Sequence, residues 1–162
     1  METEKDLDTL ADDFKKACDK LSQYRIEIGV ISANTKRKDV VRVGVTNAEL
    51  MFIHENGSPA QHIPARPVLE MTINYTNENL LDKAIDKALK AYFESNFDEK
   101  EFEKEFEKLC LRMENYARKI IYSNDGRLAP NSPRVAEAKG GNHPLFDTGQ
   151  LARSITCQLV KI

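Results

Sequence analysis

The sequence has few of the features that mark disulfide-rich or membrane-spanning proteins. Its 162 residues include three cysteines and no tryptophan. The cysteines are odd in number and form no Cys-x-x-Cys pair, which argues against a disulfide framework and against a zinc site. No run of apolar residues approaches the length of about 18 that a membrane-spanning helix requires. We therefore expect no membrane segment, and we expect all three cysteines to face the core, namely Cys18, Cys110 and Cys157.

Net charge is also small. The chain has 24 Lys and Arg residues against 26 Asp and Glu residues, and its formal net charge is -2. This balance provides no overall field to hold an anionic membrane or a nucleic acid, so binding to a specific nucleic-acid sequence is not expected. Residues 1–6 (METEKD) are acidic, whereas a signal peptide needs a basic flank and an apolar run. We expect a cytosolic protein with one domain over residues 1–162.

The spacing of apolar residues predicts an α+β fold. Apolar side chains recur at three- and four-residue steps in an N-terminal helix, at residues 7–21, and in two longer central helices, at about 77–93 and 99–122. They alternate with polar residues in three strands, at about 24–31, 40–46 and 156–160. We predict that these strands form a small antiparallel sheet that packs against the helices.

Residues 47–57 allow two interpretations. The segment is either a short helix, with Asn47 as its N-cap and Gly57 in a left-handed conformation at its end, or a continuation of the preceding strand. Prolines at 59, 64 and 67 follow, and each removes a backbone donor, which excludes a central strand. Arg66 is therefore expected in an extended stretch between Pro64 and Pro67.

Residues 123–146 form the longest interval without hydrophobic periodicity, and we predict an irregular loop there. Loops longer than about 15 residues in a compact domain are usually functional or disordered. Arg127, Arg134 and Lys139 make this loop basic, and we interpret it as an extended partner-binding loop. The residues after it, 147–150 (DTGQ), have the pattern of a capping box and predict a short helix at 151–155.

The sequence contains no recognisable active site. His54 and Glu55 lack the second histidine of a metalloprotease helix because Ser58 stands in its place. Gly140 and Gly141 are not followed by the Lys and Ser or Thr of a phosphate-binding loop. We therefore predict that the protein is not an enzyme and binds neither a metal nor a cofactor.

Three segments together resemble a known family. In order they are 52–57 (FIHENG), 63–69 (IPARPVL) and 144–155, where PLFDTGQL at 144–151 is followed by SI at 154–155. They are similar to segments of the tail-completion or neck proteins (head–tail joining, virion morphogenesis) of long-tailed bacteriophages and prophages. In that family an (H/E)EfG segment, an iPaRpFL segment and a late PLxDTGxLxxSI segment recur in this order. Val68 stands where the family usually has an aromatic residue. The motif residues are Gly57, Pro64, Pro67, Asp147, Thr148, Gly149, Gln150 and Leu151.

The resemblance spans roughly residues 48–160 and implies a structural role. It implies a small α+β domain that forms a ring, of six or twelve copies, at the head–tail junction of the virion after assembly in the host cytoplasm. Its partners would be further copies of itself, head-connector or stopper proteins, and tail-terminator or tail-tube proteins. Two alternatives stay open: the tail terminator that caps the tail tube, and a small cytosolic binding or regulatory module unrelated to phage.

Basic residues are the candidates for the partner interface. Arg66 lies between two prolines, so its guanidinium either binds a carboxylate of a neighbouring subunit or forms an ion pair within the chain. The loop between the first two predicted strands is basic at its tip, where a solvated turn is the simpler interpretation. The full candidate set is Arg66, Arg127, Arg134, Lys139, Lys36, Arg37 and Lys38.

Overall fold

The computed structural model describes residues 7–31 and 44–162. In these ranges the chain is an α+β protein with seven α-helices and one two-stranded antiparallel sheet, which confirms the predicted fold class. The elements in chain order are α1 (Leu7–Leu21), β1 (Tyr24–Val30), α2 (Asn47–Asn56), α3 (Val68–Asn79), α4 (Leu81–Glu94), α5 (Glu99–Ser123), α6 (Pro133–Lys139), α7 (Gln150–Ser154) and β2 (Ile155–Lys161).

The sheet pairs the strand that follows α1 with the last element of the chain. β1 and β2 pair antiparallel in a register that runs from Tyr24 opposite Lys161 to Val30 opposite Ile155. Two of the three predicted strands are therefore confirmed. The third prediction, at about 40–46, falls mostly outside the described ranges, and residues 44–46 are not in a strand.

Helix α5 is the central element, and its predicted position is confirmed. The Asp98 carboxylate accepts a hydrogen bond from the backbone N–H of Lys100 and caps its N-terminus. The first half of α5 packs with Ala17, Ala88 and Tyr92 in one hydrophobic cluster. Its second half, from Ala117, packs in another cluster with residues that come from several elements and loops, namely Met51, Val68, Leu128, Leu145, Leu151, Ala152 and Ile155.

The helix predicted at about 77–93 covers the last residues of α3 and most of α4. These are two separate helices, and they meet at Leu80. The prediction missed most of α3 because two of its three buried residues are threonines, which do not register as a hydrophobic stripe. The Thr72 hydroxyl donates to the Val68 carbonyl at 2.8 Å, and the Thr76 hydroxyl donates to the Thr72 carbonyl at 2.8 Å. These bonds satisfy the hydroxyls inside the helix, so burying them costs little.

Helix α2 confirms the helical interpretation of residues 47–57, but its cap differs from the prediction. Thr46, and not Asn47, is the N-cap, and it forms a capping box with Glu49. The backbone N–H of Thr46 donates to the Glu49 carboxylate at 2.7 Å, while the Glu49 N–H donates to the Thr46 hydroxyl at 3.2 Å. Gly57 ends the helix with the expected positive φ, 74°, but its ψ of 174° lies outside the left-handed helical region, so the predicted left-handed conformation is wrong.

Helix α1 forms where predicted, but the apolar residues of its first half do not point into the core, whereas Leu21 at its end packs against it. The buried residues of α1 are Asp13 and Ala17. Leu7, Leu10 and Phe14 are 81%, 48% and 56% exposed. The prediction that all three cysteines face the core is wrong for Cys18, which is exposed on the same helix, whereas Cys110 is buried and Cys157 is half-buried.

Two predictions for the C-terminal third need correction. Residues 123–146 are not irregular throughout, because α6 lies within them. The short helix near 151–155 exists as α7, but no side chain caps it: Gly149 is the N-cap, with a φ of 75°. The predicted capping box is therefore wrong, and the Thr148 hydroxyl instead accepts a hydrogen bond from the Gln150 amide at 3.1 Å.

Candidate partner-binding site

Arg66 is almost completely buried, at 4% exposure, and its guanidinium is held by three groups of the same chain. Nε donates to the Ala129 carbonyl at 2.7 Å, and Nη2 donates to the Pro130 carbonyl at 2.7 Å. Nη1 lies 3.1 Å from Nδ1 of His54. The planar fork of donors therefore joins the segment at 63–69 to helix α2 and to the loop after α5.

This geometry corrects the interface role predicted for Arg66. A side chain buried to this extent within its own subunit is not presented to a neighbouring carboxylate. The alternative was an ion pair within the chain. Arg66 does bind groups of its own chain, but these are two carbonyls and an imidazole and not a carboxylate. Among the described residues no carboxylate pairs with Arg66.

Gly57 allows the chain to return from α2 to Arg66 within a few residues. Ser58 and Ile63 form an isolated antiparallel bridge, and a Cβ on Gly57 would lie 2.9 Å from the Ala65 nitrogen. The Arg66 N–H then donates to the His54 carbonyl at 2.6 Å. The tight turn thus aligns the segments at 52–57 and 63–69 side by side.

Glu55 adds a second link between these two segments. Its carboxylate accepts hydrogen bonds from the backbone N–H groups of Leu69 and Glu70, at 3.1 and 2.8 Å. These groups belong to the first turn of α3, where backbone donors lack partners within the helix. A carboxylate at this position also interacts favourably with the helix dipole. Glu55 therefore fixes the start of α3 against the end of α2.

The contact with Arg66 determines the tautomer of His54. A guanidinium can only donate, so Nδ1 of His54 must accept, and in the neutral ring the hydrogen resides on Nε2. Burial, together with the positive charges of Arg66 and Lys139, lowers the pKa of His54 to about 4. At neutral pH the side chain is thus a neutral imidazole with its second nitrogen available as a donor.

A cleft of about 370 Å³ lies beside this cluster, and we call it the motif cleft. Its walls come from the segments at 52–57, 63–69 and 144–151, and from α6 and the residues before it. Apolar groups include Val135, Leu145 and Leu151. The structure thus brings the segment at 144–151 against the segments at 52–57 and 63–69, which are near each other in the sequence but far from it.

The lining of the motif cleft contains more cations than carboxylates. Arg66 and Lys139 line it together with one carboxylate, that of Asp147. The Asn131 amide nitrogen, also in the lining residues, is buried, and no described group accepts a hydrogen bond from it. A buried donor without a partner costs about 1–3 kcal/mol.

The other predicted interface residues are distributed differently. Lys139 lines the cleft and donates to the Phe146 carbonyl at 3.0 Å, while Arg134 is exposed on the same helix, α6. Arg127 lies elsewhere, where it binds the Asp125 carboxylate at 2.6 Å and holds the pKa of that carboxyl well below its usual range. Lys36, Arg37 and Lys38 fall outside the described residues.

Sequence reasoning missed several residues of this site. It treated His54 as half of an absent metal motif and as part of the segment FIHENG, without a role for its side chain, and it assigned no role to Asn131 or Val135. The sequence carries no local signal for them, because their roles depend on a turn, a loop and a helix that meet only in the folded chain. The prolines at 64 and 67 were a useful signal, since they correctly placed Arg66 in a stiff segment.

No protein-family model matches the sequence, and no curated protein or solved structure is significantly similar to it. Across residues 7–31 and 44–162, no group of three or more His, Cys, Asp or Glu residues is arranged to hold a metal ion. No helix in those same ranges is long and apolar enough to span a membrane.

Proposed function

We propose that this chain is a structural protein of the bacteriophage neck, where copies of it form a ring that completes the tail or joins it to the head connector. The proposal starts from the resemblance of three sequence segments to tail-completion and neck proteins. It assigns the chain no catalytic role, and its partners are further copies and the neighbouring head-connector and tail proteins.

One observation supports this proposal above the others: the segments of the resemblance make contact in three dimensions. His54 of the first segment contacts Arg66 of the second, and residues of the third complete the cleft beside them. Met51, Val68, Leu145 and Leu151 from the same regions share one hydrophobic cluster. The first two segments are close in the sequence, so the contact that supports the proposal is that of the third segment, which comes from far along the chain and lines the same cleft.

The direct test is deletion of the gene in the phage or prophage that encodes the chain. We expect filled heads and separate tails in electron micrographs of the lysate, and we expect a plasmid copy of the gene to restore tailed particles. Quantitative mass spectrometry of complemented virions should find about six or twelve copies per particle, as closed cyclic assemblies require a fixed number.

Two results would contradict the neck role. Normal tailed particles from the deletion strain would exclude it, as would purified virions that lack the chain. Joined particles with tails of irregular length would instead indicate the tail terminator, because a missing cap leaves tube length uncontrolled. Deletion of the tail-tube gene from the same phage is the matched control, since it must yield filled heads without tails.

A further inference from the structure

Three sulfur atoms meet where strand β2 packs against helix α5. Cys110, Met113 and Glu114 stand at positions i, i+3 and i+4 of α5, so their side chains share one face of the helix. That face contacts Cys157 of β2, whose thiol donates to Sδ of Met113 at 3.9 Å and whose backbone N–H donates to the Glu114 carboxylate at 2.8 Å. The Cys157 thiol also interacts directly with the Cys110 thiol. Two cysteines that are far apart in the sequence are therefore neighbours in the fold.

The start of β2 is held firmly against α5 around this pair. The Glu114 carboxylate, which binds the Cys157 N–H, also accepts a hydrogen bond from Nη2 of Arg118 at 2.8 Å. The same nitrogen of Arg118 donates to the Ile155 carbonyl at 2.8 Å. The backbone of β2 is thus bonded to α5 at Ile155 and at Cys157. Reacting groups on two elements held in this way are kept close together, which favours reaction within the pair.

We propose that Cys110 and Cys157 form an oxidation site, at which a peroxide converts the two thiols into a disulfide within the native fold. The thiolate of one cysteine attacks an oxygen of hydrogen peroxide, the O–O bond breaks, and a sulfenic acid forms. The hydroxide that leaves takes up the proton of the first thiol and becomes water. The second thiol then attacks the sulfenic sulfur, and its proton leaves with the sulfenic hydroxyl as a second water. Two thiols and one hydrogen peroxide thus give one disulfide and two waters.

The contact between the two thiols assists the first step. The hydrogen bond with Cys157 lowers the pKa of the Cys110 thiol, whereas the same contact raises the pKa of Cys157. The pair therefore loses its first proton more readily than an isolated buried thiol does, and the thiolate is the form that reacts. Cys157 is only half-buried, so a small oxidant reaches the pair from its side.

The disulfide would close a covalent loop around one wall of the motif cleft. The chain between Cys110 and Cys157 contains α6, α7 and the segment at 144–151. A bond between its ends restricts the unfolded chain and so stabilises the folded one. A neck protein would assemble in the reducing host cytoplasm and meet oxidising surroundings after release, so the bond would form after assembly. Only this timing rests on the proposed function.

The test uses the full-length chain with Cys18→Ser, which removes the exposed thiol of α1 and leaves the pair unchanged. The reduced protein is treated with hydrogen peroxide, unfolded in urea and alkylated with iodoacetamide. We expect an intact mass that has lost two hydrogens and carries no alkyl group, whereas untreated protein carries two. A tryptic digest should contain residues 109–112 (LCLR) linked to residues 154–161 (SITCQLVK).

Two comparisons show whether the native fold accommodates the bond. In mixtures of reduced and oxidised glutathione, the equilibrium constant for the disulfide should be at least about tenfold larger in the folded chain than in urea. The oxidised chain should also melt about 5 °C or more above the reduced chain. Met113→Leu is the matched control, because it removes the third sulfur but neither thiol, and it should still form the disulfide.

Cys110→Ser and Cys157→Ser, each combined with Cys18→Ser, complete the set. Peroxide should add oxygen to the one cysteine that remains in each variant, so their mass rises where that of the intact pair falls. Circular dichroism checks that both variants are folded. The main measurement keeps both native cysteines, so it does not depend on the folding of these variants.

Three outcomes would overturn the inference. The first is the addition of oxygen to the intact pair with no link between residues 109–112 and 154–161. The second is an equilibrium constant in the folded chain that is no larger than in urea, and the third is an oxidised chain that melts below the reduced one. All of these experiments use the purified chain, so their failure would leave the neck role untouched, and absence of the chain from virions would leave the oxidation site untouched.

Discussion

The Arg66 guanidinium and the Ala129 carbonyl are hydrogen-bonded at 2.7 Å although 63 residues separate them in the sequence. The bond fixes the residues after α5 against the proline-flanked segment that precedes α3. Because Pro130 accepts a second bond at 2.7 Å, the loop is held at two consecutive carbonyls. The interval that the sequence predicts to be an extended partner-binding loop is therefore attached to its own subunit near its beginning.

Replacement of Arg66 should mainly affect stability. Arg66→Ala removes the donors of two carbonyls and the contact with His54, and we expect the free energy of unfolding to fall by about 2–4 kcal/mol. Arg66→Lys should recover little, because one ammonium cannot reproduce the planar fork. Urea denaturation measures both. Arg134→Ala, at an exposed position, is the control and should change stability by less than about 0.5 kcal/mol. Equal stability of the Arg66→Ala and Arg134→Ala variants would mean that the hydrogen bonds of Arg66 do not stabilise the fold.

Leu128 gives a second test of whether the loop belongs to the folded core. It is 9% exposed and lies in the cluster with Ile121 and Leu145. We expect Leu128→Ala to lower the free energy of unfolding by about 2–4 kcal/mol, since the cavity cannot close fully. Val135→Ala, on exposed α6, should cost far less. If the two substitutions have the same effect in chemical denaturation, the segment is not packed in solution.

The sequence predicts an element well when its buried face is apolar and continuous. Helix α5 was located almost to the residue because its buried side chains, from Phe102 to Ile121, alternate three- and four-residue steps. Most of α3 was missed because Thr72 and Thr76 occupy its buried face and satisfy their hydroxyls within the helix. Periodicity measures hydrophobicity, so it does not detect a helix that buries hydrogen-bonded threonines.

Helix α1 illustrates a different limit. Its spacing correctly predicts a helix and an apolar stripe, but a stripe does not specify what covers it. Helix α1 packs against the rest of the subunit through Ala17, a small residue that permits close approach, whereas Phe14 is exposed to solvent. The partners of Arg66 show the same limit for polar groups, because every residue carries a backbone carbonyl and only the tertiary fold determines which ones Arg66 reaches.

The turn at Gly57 should tolerate no side chain. At Gly57 φ is 74°, and a Cβ would lie 2.9 Å from the Ala65 nitrogen and 3.0 Å from the Ile63 oxygen. Gly126 has a comparable φ of 87° but nothing within 4 Å of its Cβ position, so it tests a positive φ without the close backbone contacts. Gly126→Ala should cost about 1–2 kcal/mol. Gly57→Ala should cost about 1–3 kcal/mol more, because backbone must also shift. Equal melting temperatures for the two variants would mean that a Cβ at Gly57 does not clash with the backbone of Ala65 and Ile63.

Acid should destabilise the protein through His54 before the carboxylates contribute. The pKa of His54 is about 4 in the folded chain and 6.5 in the unfolded chain, so between these values the unfolded state binds more protons. Stability from this group is fully present above pH 6.5 and is lost as the pH falls toward 4. After allowance for partial solvent screening, we expect the free energy of unfolding to fall by about 1–2 kcal/mol between pH 7.5 and 5.

His54→Gln does not titrate and keeps an acceptor for Arg66, so urea denaturation of this variant should show a shallower pH dependence over that interval. The same slope in both proteins would mean that His54 titrates normally in the folded state, and an NMR titration of its ring protons would then give a pKa near 6.5.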